Sequence, residues 1–255
     1  LPMYVHGFCF QAPYLLVPSG RSFSALMPLN PRDHEQRSRV LILSGGTGAG
    51  HTVAAQAVER ALVRAGTSVA HLDAYSFVSK SARWAYTQLH LGLMEFVPEL
   101  YGPLYERGSR SRFLVSVQQR LTLRSRVAFA SVLDKIQPSV VFATHALGGL
   151  LASPLKEAGG FRLALLTTDY RAHAFHVDQR VDLYCASHAW ASADLVAAGI
   201  PSSRIVVTGI PLREQFDAVP DRVAARTRLG IPLDQRVILV TRGGMAAGME
   251  TVDLL

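Results

Sequence analysis

The sequence has few cysteines, and the two it has lie far apart. Cys9 and Cys185 form no CxxC pair and no cysteine–histidine pattern with zinc-ligand spacing, which excludes a zinc site built on cysteines. Such sparse cysteine usage favours a reducing cytoplasm. Cys185 lies in the apolar run 181–186, so we expect a buried, unreactive thiol rather than a nucleophile.

Long hydrophobic runs are also missing. No segment approaches the roughly 20 apolar residues that a transmembrane helix needs. The apolar stretch 8–17 is interrupted by Gln11 and Pro13 and follows no basic segment, so it is a poor signal peptide. The chain begins with Leu1 rather than Met, which we interpret as a fragment or an uncertain start, and we expect residues 1–38 to be an irregular leader and linker.

Aromatic and charged residues are sparse in a chain of 255 residues, at 8% and 18%, while 49% are hydrophobic. This balance excludes a disordered chain and favours an α/β protein with a substantial core. The net charge is +7, and a surplus of this size favours anionic partners: nucleic acid, acidic lipid or phosphorylated ligands.

Strand and helix patterns alternate from residue 39 onward. An apolar run at 40–43 predicts a strand covered on both faces, followed by a helix at 52–64 and a strand at 68–72. This βαβ unit predicts an α/β fold with a Rossmann-like, doubly wound parallel sheet across residues 39–215. The remaining predicted elements are strands at 140–143, 163–167, 183–186 and 205–207 and helices at 146–157 and 189–198.

The pattern then restarts. Residues 216–235 predict an interdomain linker that contains a helix at 221–229. An apolar strand at 236–241 and a second glycine-rich turn at 243–248 follow, which predicts the beginning of a second domain in residues 236–255.

The first glycine-rich turn, 44–52, lacks the lysine that a Walker A loop requires. His51 occupies that position, and it is too short and too weakly charged to reach the β- and γ-phosphates. The third glycine of a dinucleotide-binding fingerprint is missing too. The glycines still allow a tight turn and close approach of a ligand to free N–H groups at the helix N-terminus, although a tight turn without a ligand is the alternative. The residues concerned are Gly46, Thr47, Gly48 and Gly50.

His51 follows the last of these glycines, at the predicted start of the helix. The positive end of a helix dipole keeps an imidazole neutral, and a neutral histidine that faces a cleft is a suitable general base. A capping or packing histidine is the alternative.

Polar residues follow two other predicted strands at their carboxyl ends, where open α/β sheets bind ligands. Asp169, His173 and His176 follow the strand at 163–167, and they can position a substrate, bind a metal or make structural hydrogen bonds. We expect no metal, because the spacing is loose. His145 follows the strand at 140–143 and has a similar but weaker case for substrate binding.

Residues 75–135 form a predicted helical insert. Acidic residues are missing from 107–126, which holds six arginines interleaved with apolar residues. This pattern is typical of an interfacial helix whose arginines meet lipid phosphates. A solvated helix face is the alternative, and no stacking motif supports RNA binding. The predicted membrane contacts are Arg107, Arg110, Arg112, Arg120 and Arg124.

Five segments in one order, 44–51, 168–173, 182–184, 207–211 and 243–248, carry a family resemblance. From about residue 39 to the end, the chain resembles the monogalactosyldiacylglycerol synthase and processive diacylglycerol glucosyltransferase family, within glycosyltransferase family 28. The chain departs from the family pattern at His176, where a tryptophan is frequent, and at Arg242, where a glycine is usual. It also lacks the acidic and polar donor-binding residues of the second domain.

The resemblance implies two Rossmann-like domains in the GT-B architecture, of which this chain would be the first and the start of the second. It implies an inverting transfer of galactose or glucose from UDP-galactose or UDP-glucose to diacylglycerol, on the cytoplasmic face of a membrane that the enzyme binds peripherally through anionic lipids. UDP-sugar is the donor substrate; no cofactor and no nucleic acid is expected.

The resemblance also implies residue roles. His51 falls on the family histidine that activates the acceptor, and Gly243, Gly244 and Gly248 fall near the donor diphosphate. We expect residues 1–255 alone to be inactive. Two alternatives remain: a family 28 transferase that acts on a polyprenyl-linked sugar, and a non-catalytic membrane-binding fragment.

Overall fold

The computed structural model describes residues 39–46, 49–81, 83–84, 122–216, 218 and 221–239. Within them, one parallel sheet of six strands has the order β2-β1-β3-β4-β5-β6. The strands are β1 (Arg39–Ser44), β2 (Ser68–Asp73), β3 (Val140–Ala143), β4 (Arg162–Leu166), β5 (Leu183–Ala186) and β6 (Ile205–Val207).

Helices alternate with these strands. Short 3-10 turns cover Ala74–Phe77, Ser153–Leu155, Ala174–His176, Ser202–Arg204 and Glu214–Phe216. The α-helices are α1 (Ala49–Arg64), α2 (Leu123–Ile136), α3 (Ala146–Ala152), α4 (Lys156–Gly159), α5 (Ala189–Ala197) and α6 (Arg222–Leu229).

The sheet is covered on both faces, as the apolar strands predict. Alternate residues of β1 separate the two cores: Leu41 and Leu43 belong to one, while Val40 and Ile42 belong to the other. Helices α2 and α3 pack on the first face and α1 on the second. The predicted α/β fold with a doubly wound parallel sheet is therefore confirmed.

Strand β1 lies between β2 and β3 and pairs in parallel with both. The chain leaves β1 toward β2 and then returns to the other side of β1 to form β3. This reversal is a topological switch point, and in open α/β sheets ligands bind outside the carboxyl ends of the strands there. The turn after β1 and the residues after β3 and β4 thus lie at one edge of the sheet.

Two predicted elements differ in the structure. The single helix predicted at 146–157 is divided into α3, a 3-10 turn and α4, because Pro154 has no N–H to donate within an α-helix. The strand predicted at 236–241 is wrong over 236–239, which are described and form no strand. Ile238 and Leu239 are 80% and 83% exposed there, and a strand forms only where another strand satisfies its backbone groups.

No described helix is long and apolar enough to span a bilayer. The predicted leader 1–38, most of the predicted insert 75–135 and residues 240–255 lie outside the described residues.

Candidate active site at the carboxyl edge of the sheet

An aspartate that sequence reasoning did not select organises the first glycine-rich turn. Asp73 ends β2, beside β1, and its Oδ1 accepts hydrogen bonds from the Gly46 N–H at 3.1 Å and the Tyr75 N–H at 2.9 Å. A side chain on Gly46 would overlap Asp73 Oδ2. The signal for Asp73 was its place at the carboxyl end of a strand that neighbours the turn.

The glycines of the turn differ in the space that is available for a side chain. A Cβ on Gly45 would lie 2.5 Å from Cγ of His145, so this position has no room for a side chain. A Cβ on Gly50 would meet nothing within 4 Å. Gly50 lies in the first turn of α1, which begins at Ala49. Thr47 and Gly48 lie outside the described residues.

His51 contacts the residues that follow β3 and β4. Its Nδ1 lies 2.7 Å from the Thr144 carbonyl oxygen and 3.0 Å from the Thr168 hydroxyl oxygen. The Thr144 hydroxyl in turn donates to the His51 carbonyl at 3.0 Å. The helix that carries His51 is thereby fastened to the carboxyl edge of the sheet.

The Thr144 contact determines which nitrogen of His51 carries the proton. A carbonyl oxygen can only accept, so Nδ1 must be the protonated nitrogen. In the neutral ring the lone pair then lies on Nε2, and no described residue forms a hydrogen bond with that atom. This state is the one that a general base requires.

His145 has a structural part in this site. It is the N-cap of α3, where its Nδ1 accepts from the Leu147 N–H at 3.1 Å, and its ring packs edge-on to His51 at 4.5 Å between centroids. Burial first, and then the charge of His51, lower the pKa of His145 to about 3. The ring is therefore neutral at physiological pH. The predicted acceptor contact of His145 stays a prediction.

Asp169, His173 and His176 contact one another in the structure, although their spacing in the sequence is loose. His173 Nε2 lies 3.3 Å from Asp169 Oδ2, and this hydrogen bond is the main reason that the pKa of Asp169 is lowered. His176 stacks on His173 at 5.4 Å, and its Nδ1 accepts from the His173 N–H at 3.1 Å. Burial lowers the pKa of His176 to about 4, so this ring is a neutral packing element.

Metal binding was one alternative for this group. Among the described residues, no cluster of three or more histidine, cysteine or carboxylate side chains has the geometry to hold a metal ion. Asp169 and His173 remain predicted substrate-binding residues at the exposed end of β4.

Two hydroxyl residues that sequence reasoning did not select support the site. Ser187, after β5, donates from Oγ to the Asp169 carbonyl, and its N–H donates to the Thr167 hydroxyl at 3.0 Å. Thr168 contacts His51 directly. Thr168 begins the segment 168–173 of the family resemblance, but no role was predicted for it. Ser187 has no comparable signal, since serine is common in loops and only the sheet order brings this residue to the site.

The other predicted contact residues are mostly outside the described part of the chain. This applies to Arg107, Arg110, Arg112 and Arg120 and to Gly243, Gly244 and Gly248. Arg124 is described: it lies exposed in the first turn of α2, between Leu123 and Val127, which are 56% and 72% exposed.

Comparison with known proteins gives relatives with named activities. Over 208 residues the chain is 23% identical to a processive diacylglycerol beta-glucosyltransferase of Bacillus cytotoxicus, covering 80% of this chain and 53% of that protein. It is 26% identical over 241 residues to the chloroplastic monogalactosyldiacylglycerol synthase of Spinacia oleracea, covering 87% of this chain and 44% of that protein. The chain thus spans about half the length of the curated relatives it matches.

The solved structures with a similar fold include that of the lipopolysaccharide outer core galactosyltransferase WaaB in its apo form. The TM-score is 0.42 at 16% identity, over 67% of this chain and 44% of that chain.

The family model for monogalactosyldiacylglycerol (MGDG) synthase matches residues 51–212. The match begins at His51 and includes Thr144, Thr168 and Asp169. It covers more than half of the chain, and the chain belongs to the MGDG synthase family.

Proposed function

We propose that the full-length protein is an inverting glycosyltransferase that moves a hexose from a UDP-sugar to diacylglycerol at a membrane surface. The observation that carries the proposal is the state of His51: Nδ1 is bonded to the Thr144 carbonyl, and no described residue forms a hydrogen bond with Nε2. This histidine lies at the switch point of the sheet, in a chain of the MGDG synthase family.

In the proposed reaction, the acceptor hydroxyl oxygen attacks the anomeric carbon of the sugar. A carbon–oxygen bond forms to the acceptor as the bond to the diphosphate breaks, and UDP leaves with the bonding electrons. The hydroxyl proton passes to Nε2 of His51. Backbone N–H groups at Gly243, Gly244 and Gly248 are proposed to stabilise the charge on the departing diphosphate.

Asp169 and His173 are proposed to contact the acceptor, since they lie at the same edge of the sheet as His51. Gly46 is a different case, because its N–H is already bonded to Asp73. This N–H is therefore not available to a phosphate group, so the first turn suits the acceptor better than the donor. The names of the relatives include both glucosyl and galactosyl products, so the proposed hexose is glucose or galactose.

We propose peripheral attachment to the cytoplasmic face of a membrane that contains anionic lipids. The net charge of +7 supports this, as does the exposed start of α2, where Arg124 lies between two exposed apolar side chains. Sedimentation with vesicles should show stronger binding to anionic than to neutral lipid, and equal binding to both would contradict this part of the proposal.

The transfer itself is tested with the full-length protein, diacylglycerol vesicles and labelled UDP-galactose or UDP-glucose. His51→Ala should lower kcat by about 10²-fold or more, which is the usual contribution of a general base. His71→Gln is the matched control. His71 lies on β2, and its ring bonds to the Glu59 carboxylate of α1 rather than to a residue that contacts His51. Turnover unaffected by His51→Ala rules out the base. Transfer only to a polyprenyl-linked sugar, or none at all, rejects diacylglycerol as the acceptor.

A further inference from the structure

We infer that Thr168 is a positioning residue, which holds the ring of His51 with its proton on Nδ1, so that the lone pair of Nε2 is available to the reacting hydroxyl. The inference rests on the proposed function, since it concerns the same base. It assigns a catalytic consequence to a hydroxyl to which the sequence analysis gave no role, although Thr168 begins one of the segments that carry the family resemblance.

The geometry supports this role because His51 Nδ1 has two oxygen neighbours on two different loops. The Thr144 carbonyl lies at 2.7 Å and the Thr168 hydroxyl at 3.0 Å. Since the carbonyl requires the proton to be on Nδ1, the Thr168 oxygen accepts a share of the same N–H. The Nδ1–H group is thus held between the end of β3 and the end of β4.

Two hydrogen-bond acceptors restrain the orientation of the His51 ring better than one. An imidazole can turn over about its Cβ–Cγ bond, which would exchange Nδ1 with Cδ2 and Nε2 with Cε1 and so move both nitrogens out of place. With the Thr144 carbonyl alone, a single hydrogen bond opposes this rotation. The Thr168 hydroxyl adds a second, and the bond from the Thr144 hydroxyl to the His51 carbonyl fixes the backbone from which the ring turns.

The same pair of oxygens matters when the proton arrives. Protonation of Nε2 makes His51 an imidazolium, and a hydrogen bond from a charged donor is stronger than one from a neutral donor. No described carboxylate bonds to Nδ1, so the two neutral oxygens provide this stabilisation. Neighbouring His145 adds no positive charge, because it is neutral at physiological pH.

The test compares Thr168→Val, which keeps the shape but removes the hydroxyl, with Thr168→Ser, which keeps the hydroxyl. Thr227→Val is the matched control: Thr227 is exposed on α6, and its hydroxyl bonds within its own helix to the Val223 carbonyl. In the full-length protein, Thr168→Val should lower kcat by about 10-fold, the usual effect of one hydrogen bond to a charged group, with KM for the acceptor unchanged. Thr168→Ser should recover most of kcat.

A second readout does not depend on turnover. Nitrogen-15 NMR of labelled histidine should show a protonated Nδ1 and an unprotonated Nε2 for neutral His51, and Thr168→Val should populate the tautomer with the proton on Nε2. Full kcat in Thr168→Val, or equal loss in Thr168→Ser, overturns the inference; so does an unprotonated Nδ1 in the wild type. If the wild type transfers no sugar but shows the expected ring state, the proposed function fails while the positioning of His51 stands.

Discussion

At the scale of single residues, the glycines after β1 differ in the space around them. Gly45 leaves room for the His145 ring, and Gly46 leaves room for the Asp73 carboxylate. A side chain on Gly50 would have no described atom within 4 Å of its Cβ. At Gly45 and Gly46, two protein side chains thus occupy the space that the absence of a Cβ leaves free.

These glycines give a direct prediction. Gly45→Ala and Gly46→Ala should each lower the free energy of unfolding by about 2 kcal/mol, because the added methyl forces His145 or Asp73 to move. Gly50→Ala should instead raise it by roughly 0.5–1 kcal/mol, since alanine is the better helix former. Urea denaturation of the three variants checks this.

Activity separates the two roles that Gly50 could have. If Gly50→Ala is stabilised and fully active, its predicted contact with the acceptor is wrong. A stabilised variant with a raised KM for the acceptor would support the contact. Destabilisation of Gly50→Ala would contradict the open space described around it.

At the scale of elements, Asp182 joins the amino ends of two strands to a helix. It immediately precedes β5; Oδ2 accepts from the Leu163 N–H of β4 at 2.8 Å, and Oδ1 accepts from Lys156 Nζ of α4 at 2.8 Å. The Asp182 and Lys156 side chains are only 18% and 15% exposed. The amino edge of the sheet, which is the edge opposite His51, is therefore stabilised by a largely buried ion pair.

Removing one member of that pair should be costly. Asp182→Ala leaves the Lys156 charge without its partner, so we expect the free energy of unfolding to fall by about 3 kcal/mol. Arg162→Ala is the control, because Arg162 lies 3.6 Å from the same carboxylate with its side chain 49% exposed, and should change stability by less than about 1 kcal/mol. Equal effects of the two substitutions, measured by urea denaturation, would contradict the assignment.

The elements also show how far sequence reasoning reached. Strands β3, β5 and β6 are confirmed at the predicted residues, because continuous apolar runs between polar turns have few other solutions in an α/β chain. His51 was selected because it follows the glycine-rich turn, and Asp169 and His173 because ionisable side chains follow a predicted strand. Asp73, Thr168 and Ser187 were not selected, since their contacts depend on which strands are neighbours, and the strand order is not encoded in any local pattern.

At the scale of the whole molecule, two buried neutral histidines make the fold sensitive to acid. The pKa values of His145 and His176 are lowered to about 3 and about 4, mainly by burial. In the unfolded chain an ordinary histidine takes up its proton near pH 6.5. Below that pH the unfolded state binds more protons than the native state, so stability is complete above about pH 6.5 and falls as the pH drops toward about 4.

This dependence is measurable. Within that window each histidine should reduce the free energy of unfolding by about 1 kcal/mol per pH unit. His176→Asn keeps an acceptor for the His173 N–H but cannot titrate, so the slope between about pH 6.5 and pH 5 should fall to about half. Urea denaturation across this range gives the slope. An unchanged slope in His176→Asn would show that His176 is already protonated in the native protein.

The Asp73 carboxylate beside Gly46 has one more consequence, which concerns the order of assembly. Its Oδ1 accepts from the Gly46 and Tyr75 N–H groups, and its Oδ2 lies 3.8 Å from the Arg83 guanidinium. One side chain thus ties the start of the turn after β1 to the chain that leaves β2, and this tie exists only when β2 lies beside β1. The start of the turn therefore takes its native shape together with the pairing of these two strands, and not before it.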